Sequence, residues 1–318
     1  MPNNRKENNM NFQDQFVKNV RLYFKTKGEK WLQQLPSLIH YCEETWSLTI
    51  KDPYKLSINF VAPAMAKDGR EVVVKICLPG EDFLNEREAL QSFNGNAMVK
   101  LIDSDKEKGI FILEKLSPGF TLAELKDDRE ACRLATKILQ KLTTPAPNES
   151  KLPSTKAREQ SLRDIVADHK HSSVITMGTL QKALKIFTHL NQTTTEWQIL
   201  HGDFHHYNLL YSEDKGWKAI DPKGLIGERE YDLIQFMLNH LPDKGAYEVV
   251  ANRVDIFIDE LNLNKERLIL WGYCHTVLAT YWSIDDDGTF DKSFHQCIEI
   301  FEELYETLYG SISEVARS

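Results

Sequence analysis

Between residues 198 and 221 the chain reads QILHGDFHHYNLLYSEDKGWKAID, and this stretch concentrates side chains able to do chemistry. An apolar run ends in His201-Gly202-Asp203, a polar loop follows, and Asn208 leads into Leu209-Leu210-Tyr211. A turn over Ser212 to Gly216 and a second β-rich run then end in Asp221. If the two runs pair antiparallel around that turn, Asn208 and Asp221 become neighbours at one end of the ribbon. An amide oxygen beside a carboxylate offers two hard ligands of the kind Mg²⁺ takes. Asp203, at the mouth of the same loop, is where a third carboxylate meets a substrate hydroxyl instead of the metal. The chemistry that combines these parts is phosphoryl transfer: metal on nucleotide phosphates, aspartate accepting the proton of the attacking hydroxyl.

Two other readings use the same residues. His201, Asp203, His205, His206 and Asp221 could hold zinc or a metal pair in a hydrolase. Adjacent histidines on a short loop rarely reach one ion, and that reading leaves the β-rich part of the chain without a role. A nucleotide-binding protein without catalysis is the third, although every residue the chemistry needs is present. By itself His201 reads as a loop histidine bonded to backbone, a structural support.

The elements that must position this stretch follow from hydrophobic periodicity. Residues 1–11 are polar and read as a disordered start. Phe12, Phe16, Val20, Tyr23 and Phe24 recur at helical spacing, and a second helical pattern through Trp31 to Cys42 is interrupted by Pro36, which predicts a boundary or kink there. β-rich runs follow at 46–50, 55–65 and 71–78, the last two joined at Asp68-Gly69, then a helix over about 82–93 and strands at 98–103 and 109–114. After Ser117-Pro118-Gly119 the pattern turns helical at 121–142, 159–169, 174–190, 228–240, 245–261, 265–283 and 291–309. The expectation is an α+β chain of two lobes with one cleft: an N-terminal helical extension (1–45) packed on a small antiparallel β lobe (46–116), and a larger helical lobe (117–318).

Composition bounds the partners. The 318 residues hold 39 Lys and Arg against 47 Asp and Glu, a net charge of −8. Such a chain is a poor candidate for coating nucleic acid or anionic membrane, but tolerates a cationic substrate. The five cysteines are scattered and include no C-x-x-C pair. No apolar run approaches the ~18 residues that span a bilayer, and no secretory leader is legible, so a cytoplasmic location is expected.

H-G-D-x-x-x-x-N followed by I-D resembles the catalytic loop and metal-binding aspartate of the aminoglycoside phosphotransferase and choline kinase superfamily, which has the protein-kinase fold. The longer string HGDFHHYNLL…AIDPKGLIGEREYDL resembles more narrowly the streptomycin 6-kinase and aminoglycoside/hydroxyurea resistance kinase group, as does RLILWGYCHTVLATYWSIDDDG at 267–288. The likeness covers roughly 55–290. It implies an ATP-dependent kinase acting on a small cationic acceptor, with Asp203 as catalytic base and Asn208 and Asp221 on magnesium. Lys75 then grips the nucleotide phosphates and pairs with Glu86, with Glu88 in reserve. Glu114, Lys115 and Leu116 form the adenine hinge, 46–116 becomes the nucleotide-binding lobe, and Asp232 braces the catalytic loop. Asp285, Asp286 and Asp287 fall on the acceptor side, where carboxylates pair with ammonium or guanidinium groups. Trp271, Tyr273, His275 and Trp282 lie near them as stacking surface or core. An amino-alcohol or sugar kinase is the alternative within this fold.

Three departures stand out. No G-x-G-x-x-G precedes residues 71–78, although Ser57 and Asn59 could donate hydrogen bonds there. Nine residues separate Asp221 from Tyr231, too few for a protein-kinase activation segment, so no protein substrate is expected. No G-x-x-x-x-G-K-[ST] occurs, which excludes a P-loop kinase.

Overall fold

The computed structural model describes residues 12–168, 174–285 and 288–315, so the expected disordered start at 1–11 lies outside the described residues. The chain divides into two units, one running to Gly95 and resuming over Val99–Leu116, the other taking Asn96–Met98 and the chain from Ser117 on.

In the first unit, α1 (Asp14–Thr45) is broken at Lys25, whose backbone turns to φ 50°. Pro36, the expected break, sits inside the continuous second segment. The break belongs at Lys25 because the two segments fold back on each other: Phe16 and Val20 of the first pack with Trp31 and Leu35 of the second. Gly28 allows that approach, since a Cβ there would lie 2.5 Å from the Val20 carbonyl oxygen. A five-stranded antiparallel sheet follows, built from β1 (Leu48–Ile50), β2 (Phe60–Ala66), β3 (Glu71–Ile76), β4 (Leu101–Asp105) and β5 (Ile110–Glu114). Its order is β1-β2-β3-β5-β4, and the Asp68-Gly69 turn, Gly69 at φ 85°, joins β2 to β3. α2 (Glu81–Phe93) lies between β3 and β4 in sequence. One core joins α1 to the sheet through Ile39 and Cys42 with Phe60, Val74 and Ile112.

The second unit holds two three-stranded sheets among helices. β6 (Pro118–Thr121), β9 (Leu209–Ser212) and β10 (Gly216–Ala219) form one, in the order β10-β9-β6. β7 (Thr144–Pro145), β8 (Gln198–Leu200) and β11 (Leu225–Gly227) form the other, in the order β11-β8-β7. The helices are α3 (Asp128–Leu142), α4 (Thr155–Ala167), α5 (Met177–Thr193), the short α6 (Arg229–Asp232) and α7 (Ile234–Leu238), α8 (Ala246–Leu261), α9 (Lys265–Trp282), α10 (Lys292–Tyr309) and the terminal turn α11 (Ile312–Val315). Every residue of α9 from Leu268 to Thr280 is buried, the signature of a helix enclosed on all sides.

Two expected helices change. The expected helix at 121–142 starts only at Asp128, because Pro118–Thr121 pairs with β9 and Asp127 caps the helix by accepting the Arg129 and Glu130 N–H groups at 2.9 and 3.3 Å. The segment 228–240 divides into α6 and α7. All five cysteines are buried, and none is in a disulfide.

An Ala in place of a mid-helix Gly ordinarily gains about 0.5–1 kcal/mol. Gly28→Ala is instead expected to destabilise the protein by about 1–3 kcal/mol, because the new methyl meets backbone. Thermal melting of the variant checks this, and a raised melting point would contradict the tight hairpin of α1.

Candidate functional site

The residues expected to form the catalytic loop are placed by the second unit. β8 carries the chain to His201, and two N–H groups there, of His201 and Gly202, are accepted by the Asp232 carboxylate at 2.8 and 2.7 Å. Gly202 is required for its backbone: its φ is 77°, and a Cβ would crowd the Lys223 side chain at 3.3 Å. His201 is fully buried, and burial pushes its pKa down to about 4. The neutral ring donates from Nε2 to the Ile220 carbonyl (2.9 Å) and accepts the Asp203 N–H at Nδ1 (3.2 Å). It thus ties the start of the loop to the residue before Asp221. The structural reading of His201 is what these contacts describe.

Asn208 closes the loop from its other end. Its Nδ2 donates to the Asp203 carbonyl at 2.9 Å and approaches Asp203 Oδ2 at 3.5 Å. β9 and β10 pair antiparallel, Leu209 opposite Ala219, and the Ile220 N–H donates to the Asn208 carbonyl at 2.9 Å. Asn208 and Asp221 are therefore at the same end of the ribbon. Asp221 itself takes φ 56°, a left-handed turn at the ribbon's end. With Nδ2 committed to the loop, the Asn208 Oδ1 and the Asp221 carboxylate make a donor set of hard oxygens, which fits Mg²⁺.

His205 is the residue that sequence reasoning used only for the hydrolase alternative. Its Nε2 lies 3.5 Å from Asp203 Oδ1 and 3.2 Å from Asn208 Nδ2, so it stands beside both principal side chains of the loop. The paired histidines were the signal, and the fold separates them: His206 stacks on Phe236 with ring centroids 3.8 Å apart. Among the described residues no group of three or more His, Cys, Asp or Glu is arranged to hold a metal ion. The zinc constellation therefore does not assemble: His201 has both ring nitrogens engaged with backbone, and His206 points to a different set of neighbours.

Asp232 is braced in turn. Burial raises its pKa to about 6 against the lowering effect of the two N–H bonds. The preceding Tyr231 hydroxyl lies 2.7 Å from His275 Nδ1, and Gln235 Nε2 lies 2.9 Å from His275 Nε2. His275, Trp271 and Tyr273 are core residues of α9, whereas Trp282 is 45% exposed with Arg158 over its ring at 5.1 Å. Asp285 forms a turn in which its N–H donates to the Thr289 carbonyl at 2.8 Å and its carbonyl accepts the Gly288 N–H at 2.9 Å. Asp286 and Asp287 lie outside the described residues.

The first unit carries the expected nucleotide-side residues. Lys75, on β3 opposite Phe111 of β5, donates from Nζ to Glu86 Oε1 at 2.6 Å, and both side chains are buried. Glu86 is reached because α2 turns Phe83, Glu86, Leu90 and Phe93 to one buried face, with Phe83 stacked on Phe111 at 4.2 Å. Glu86 is thus a partner of the lysine. Glu114 ends β5, and its Oε1 accepts the Lys100 N–H at 2.8 Å; Leu116 is buried. In the loop before β2, the Ser57 carbonyl accepts from Asn19 Nδ2 at 3.2 Å.

Residues 55–288 match the model of the aminoglycoside/hydroxyurea antibiotic resistance kinases. The chain belongs to this family. It is a kinase that transfers phosphate to a hydroxyl group. The chain is 28% identical to streptomycin 6-kinase of Streptomyces griseus over 274 residues, covering 83% of this chain and 87% of that one. It is 26% identical to hydroxyurea phosphotransferase of Kitasatospora aureofaciens over 264 residues, covering 81% and 76%. Among solved structures, the choline kinase LicA of Streptococcus pneumoniae superposes with a TM-score of 0.62 at 13% identity, over 85% of this chain and 99% of that one. A thermostable mutant of an aminoglycoside phosphotransferase, solved with ADP and hygromycin B, gives 0.61 at 14% identity, over 86% and 100%. These likenesses bear out the α+β, protein-kinase-like fold. Among the described residues no helix is long and apolar enough to cross a membrane.

Burial, with the Arg158 charge adding to it, holds the His275 pKa down at about 3. Unfolded, a histidine titrates near its ordinary value of about 6.5. Between those values the unfolded chain binds a proton that the folded chain does not, so stability falls as pH drops through the window. The slope due to this one group is about 1.4 kcal/mol per pH unit. His275→Gln, which keeps polar atoms near Tyr231 and Gln235, is expected to flatten the acid limb by that amount. Melting temperatures of both proteins from about pH 7 to about pH 4 test it, and parallel curves would contradict a neutral buried His275.

Proposed function

We propose that this kinase moves the γ-phosphate of ATP to a hydroxyl of a small cationic acceptor of the streptomycin type, with Mg²⁺. The observation that carries the reading is the loop itself: Asp203 held by Asn208 and His201, with Asn208 and Asp221 at one end of the β9–β10 ribbon. Support for the nucleotide comes from the Lys75–Glu86 pair and from the aminoglycoside phosphotransferase of the same fold that was solved with ADP. Support for the acceptor comes from the streptomycin 6-kinases at 26 to 28% identity, and from the exposed Asp285 as a carboxylate for a cationic group.

Each residue has one task in this reading. Lys75, oriented by Glu86, places an ammonium against the nucleotide phosphates. Asn208 and Asp221 are the ligands for Mg²⁺, which when bound neutralises charge on the phosphate oxygens. Asp203 accepts a hydrogen bond from the acceptor hydroxyl, orients its lone pair toward the phosphorus and takes its proton. His201, Gly202 and Asp232 keep Asp203 in place without touching substrate. The transition state of such transfers is loose, so positioning and charge neutralisation account for most of the rate gain. The acceptor does not have to be an aminoglycoside: the hydroxyurea phosphotransferase similarity favours a small uncharged hydroxyl as a second reading.

Coupled ADP release by the purified protein with Mg²⁺ and ATP tests the acceptor, against streptomycin, other aminoglycosides, hydroxyurea, amino-alcohols and sugars. Turnover with streptomycin is expected; turnover with hydroxyurea or an amino-alcohol alone would replace the acceptor and keep the machinery. Asp203→Ala is expected to lower kcat by ~10²–10⁴-fold while nucleotide binding persists. Undiminished turnover would remove Asp203 from the base role. Asp221→Ala is expected to abolish the Mg²⁺ dependence of nucleotide binding, and an unchanged Mg²⁺ titration would take Asp221 off the metal.

A further inference from the structure

The family match begins at residue 55, so the hairpin formed by α1 lies outside it. That hairpin turns at Lys25, and its inner residues Phe16, Val20, Trp31 and Leu35 are buried in the core of the first unit. Phe24 packs against the same core. Its neighbours Leu22 and Tyr23 do not: they are 76% and 70% exposed, and the next most exposed large apolar side chain among the described residues is Tyr207 at 52%. Exposed apolar residues scattered singly are ordinary. Two adjacent ones left nearly bare beside a turn form a patch that a partner would cover.

The charge around this patch runs against the rest of the molecule. Between Lys18 and Lys30 stand five cations and one carboxylate, in a chain of net charge −8. The carboxylate, Glu29, accepts from Arg21 Nε at 2.7 Å. Lys18, Lys25, Lys27 and Lys30 are exposed, and none of them is tied to a carboxylate among the described residues. Lys18 lies one turn before Leu22 on the helix surface, and Lys25 is the turn itself. The overall negative charge disfavours a broad coat on an anionic surface, but a local patch acts within the Debye length of about 8 Å.

Lysines flanking a bare Leu-Tyr pair have the chemistry of an interfacial anchor. Leucine and the tyrosine ring enter the boundary between headgroups and acyl chains, while the hydroxyl and the ammonium groups stay among the lipid phosphates. A polyanion would use the lysines and leave Leu22 without an apolar partner, so an anionic bilayer accounts for both halves of the patch. We propose that the turn of α1 is a weak, reversible anchor on anionic lipid bilayers, with Leu22 and Tyr23 inserted and Lys18, Lys25, Lys27 and Lys30 on the headgroups. The inference goes beyond the kinase reading and does not rest on it, because binding is read without turnover.

Co-flotation of the full chain with phosphatidylcholine vesicles, with and without about one third phosphatidylglycerol, tests the proposal. Binding to the anionic vesicles is expected to half-saturate at about 0.1–1 mM lipid, the range of a single weak anchor. It is expected to weaken at least ~10-fold between about 0.1 M and about 0.5 M salt. The double variants Lys25→Glu with Lys27→Glu, and Leu22→Ser with Tyr23→Ser, change exposed side chains only, and each is expected to weaken binding at least ~10-fold. Should one of them fail to melt like the parent, the other carries the comparison. No flotation with anionic vesicles would overturn the anchor, and equal flotation with neutral vesicles would overturn its preference for anionic lipid. Undiminished binding by both folded variants would place the contact elsewhere and overturn it as well. Retention on immobilised polyglutamate without flotation would assign the turn to an acidic protein instead of a bilayer.

Discussion

Two hydrogen bonds set the candidate catalytic loop: the N–H groups of His201 and Gly202 on the Asp232 carboxylate. A buried carboxylate is expensive to ionise, and here burial raises its pKa to about 6. Two aimed backbone donors are the compensation, and they fix the backbone just before Asp203. The remaining contacts of the loop are built on that fixed backbone. His201 can bridge Ile220 and Asp203 only if its own N–H is held, and Asn208 can reach the Asp203 carbonyl only if the loop closes in one shape. Behind Asp232, the Tyr231–His275–Gln235 contacts pin the short α6 and α7 to the buried α9. The loop is therefore referenced to the buried helix α9.

The first unit follows a different rule. Lys75 and Glu86 are both buried, and a buried ion pair is weak evidence for stability, since desolvating both charges offsets much of their attraction. Their pairing makes sense as a device that holds an ammonium in one orientation. The surrounding core supports that view. Phe83 stacks on Phe111 directly beside Lys75 in the sheet register, so the helix that carries Glu86 is locked to the strand next to the lysine's own.

Much of the loop was legible from residues alone. The spacing of Asn208 and Asp221 around a turn requires only that two β-rich runs pair antiparallel, and pairing then places them together whatever the rest of the chain does. The hairpin at Asp68-Gly69 and the helices at 245–261 and 265–283 were legible for the same reason, because local pattern and turn chemistry agree. Pro36 was not, since a proline's tendency to break a helix is local, while the fold-back at Lys25 depends on Phe16 and Val20 meeting Trp31 and Leu35. The late start of α3 likewise depends on Pro118–Thr121 finding a partner in β9, far along the chain.

By itself the sequence determined the candidate chemistry: an aspartate, an asparagine and an aspartate at set intervals, a strand lysine with a glutamate one helix later, and no glycine-rich cradle or activation segment. These are properties of order and spacing, which the chain carries before it folds. Tertiary structure alone decided that Glu86 pairs with Lys75, that His205 joins the loop while His206 stacks on Phe236, and that His275 and Trp271 are core whereas Trp282 is exposed. Adjacent or alternating polar residues look alike in one dimension. Only burial against particular neighbours, with the desolvation and hydrogen bonds it imposes, separates them.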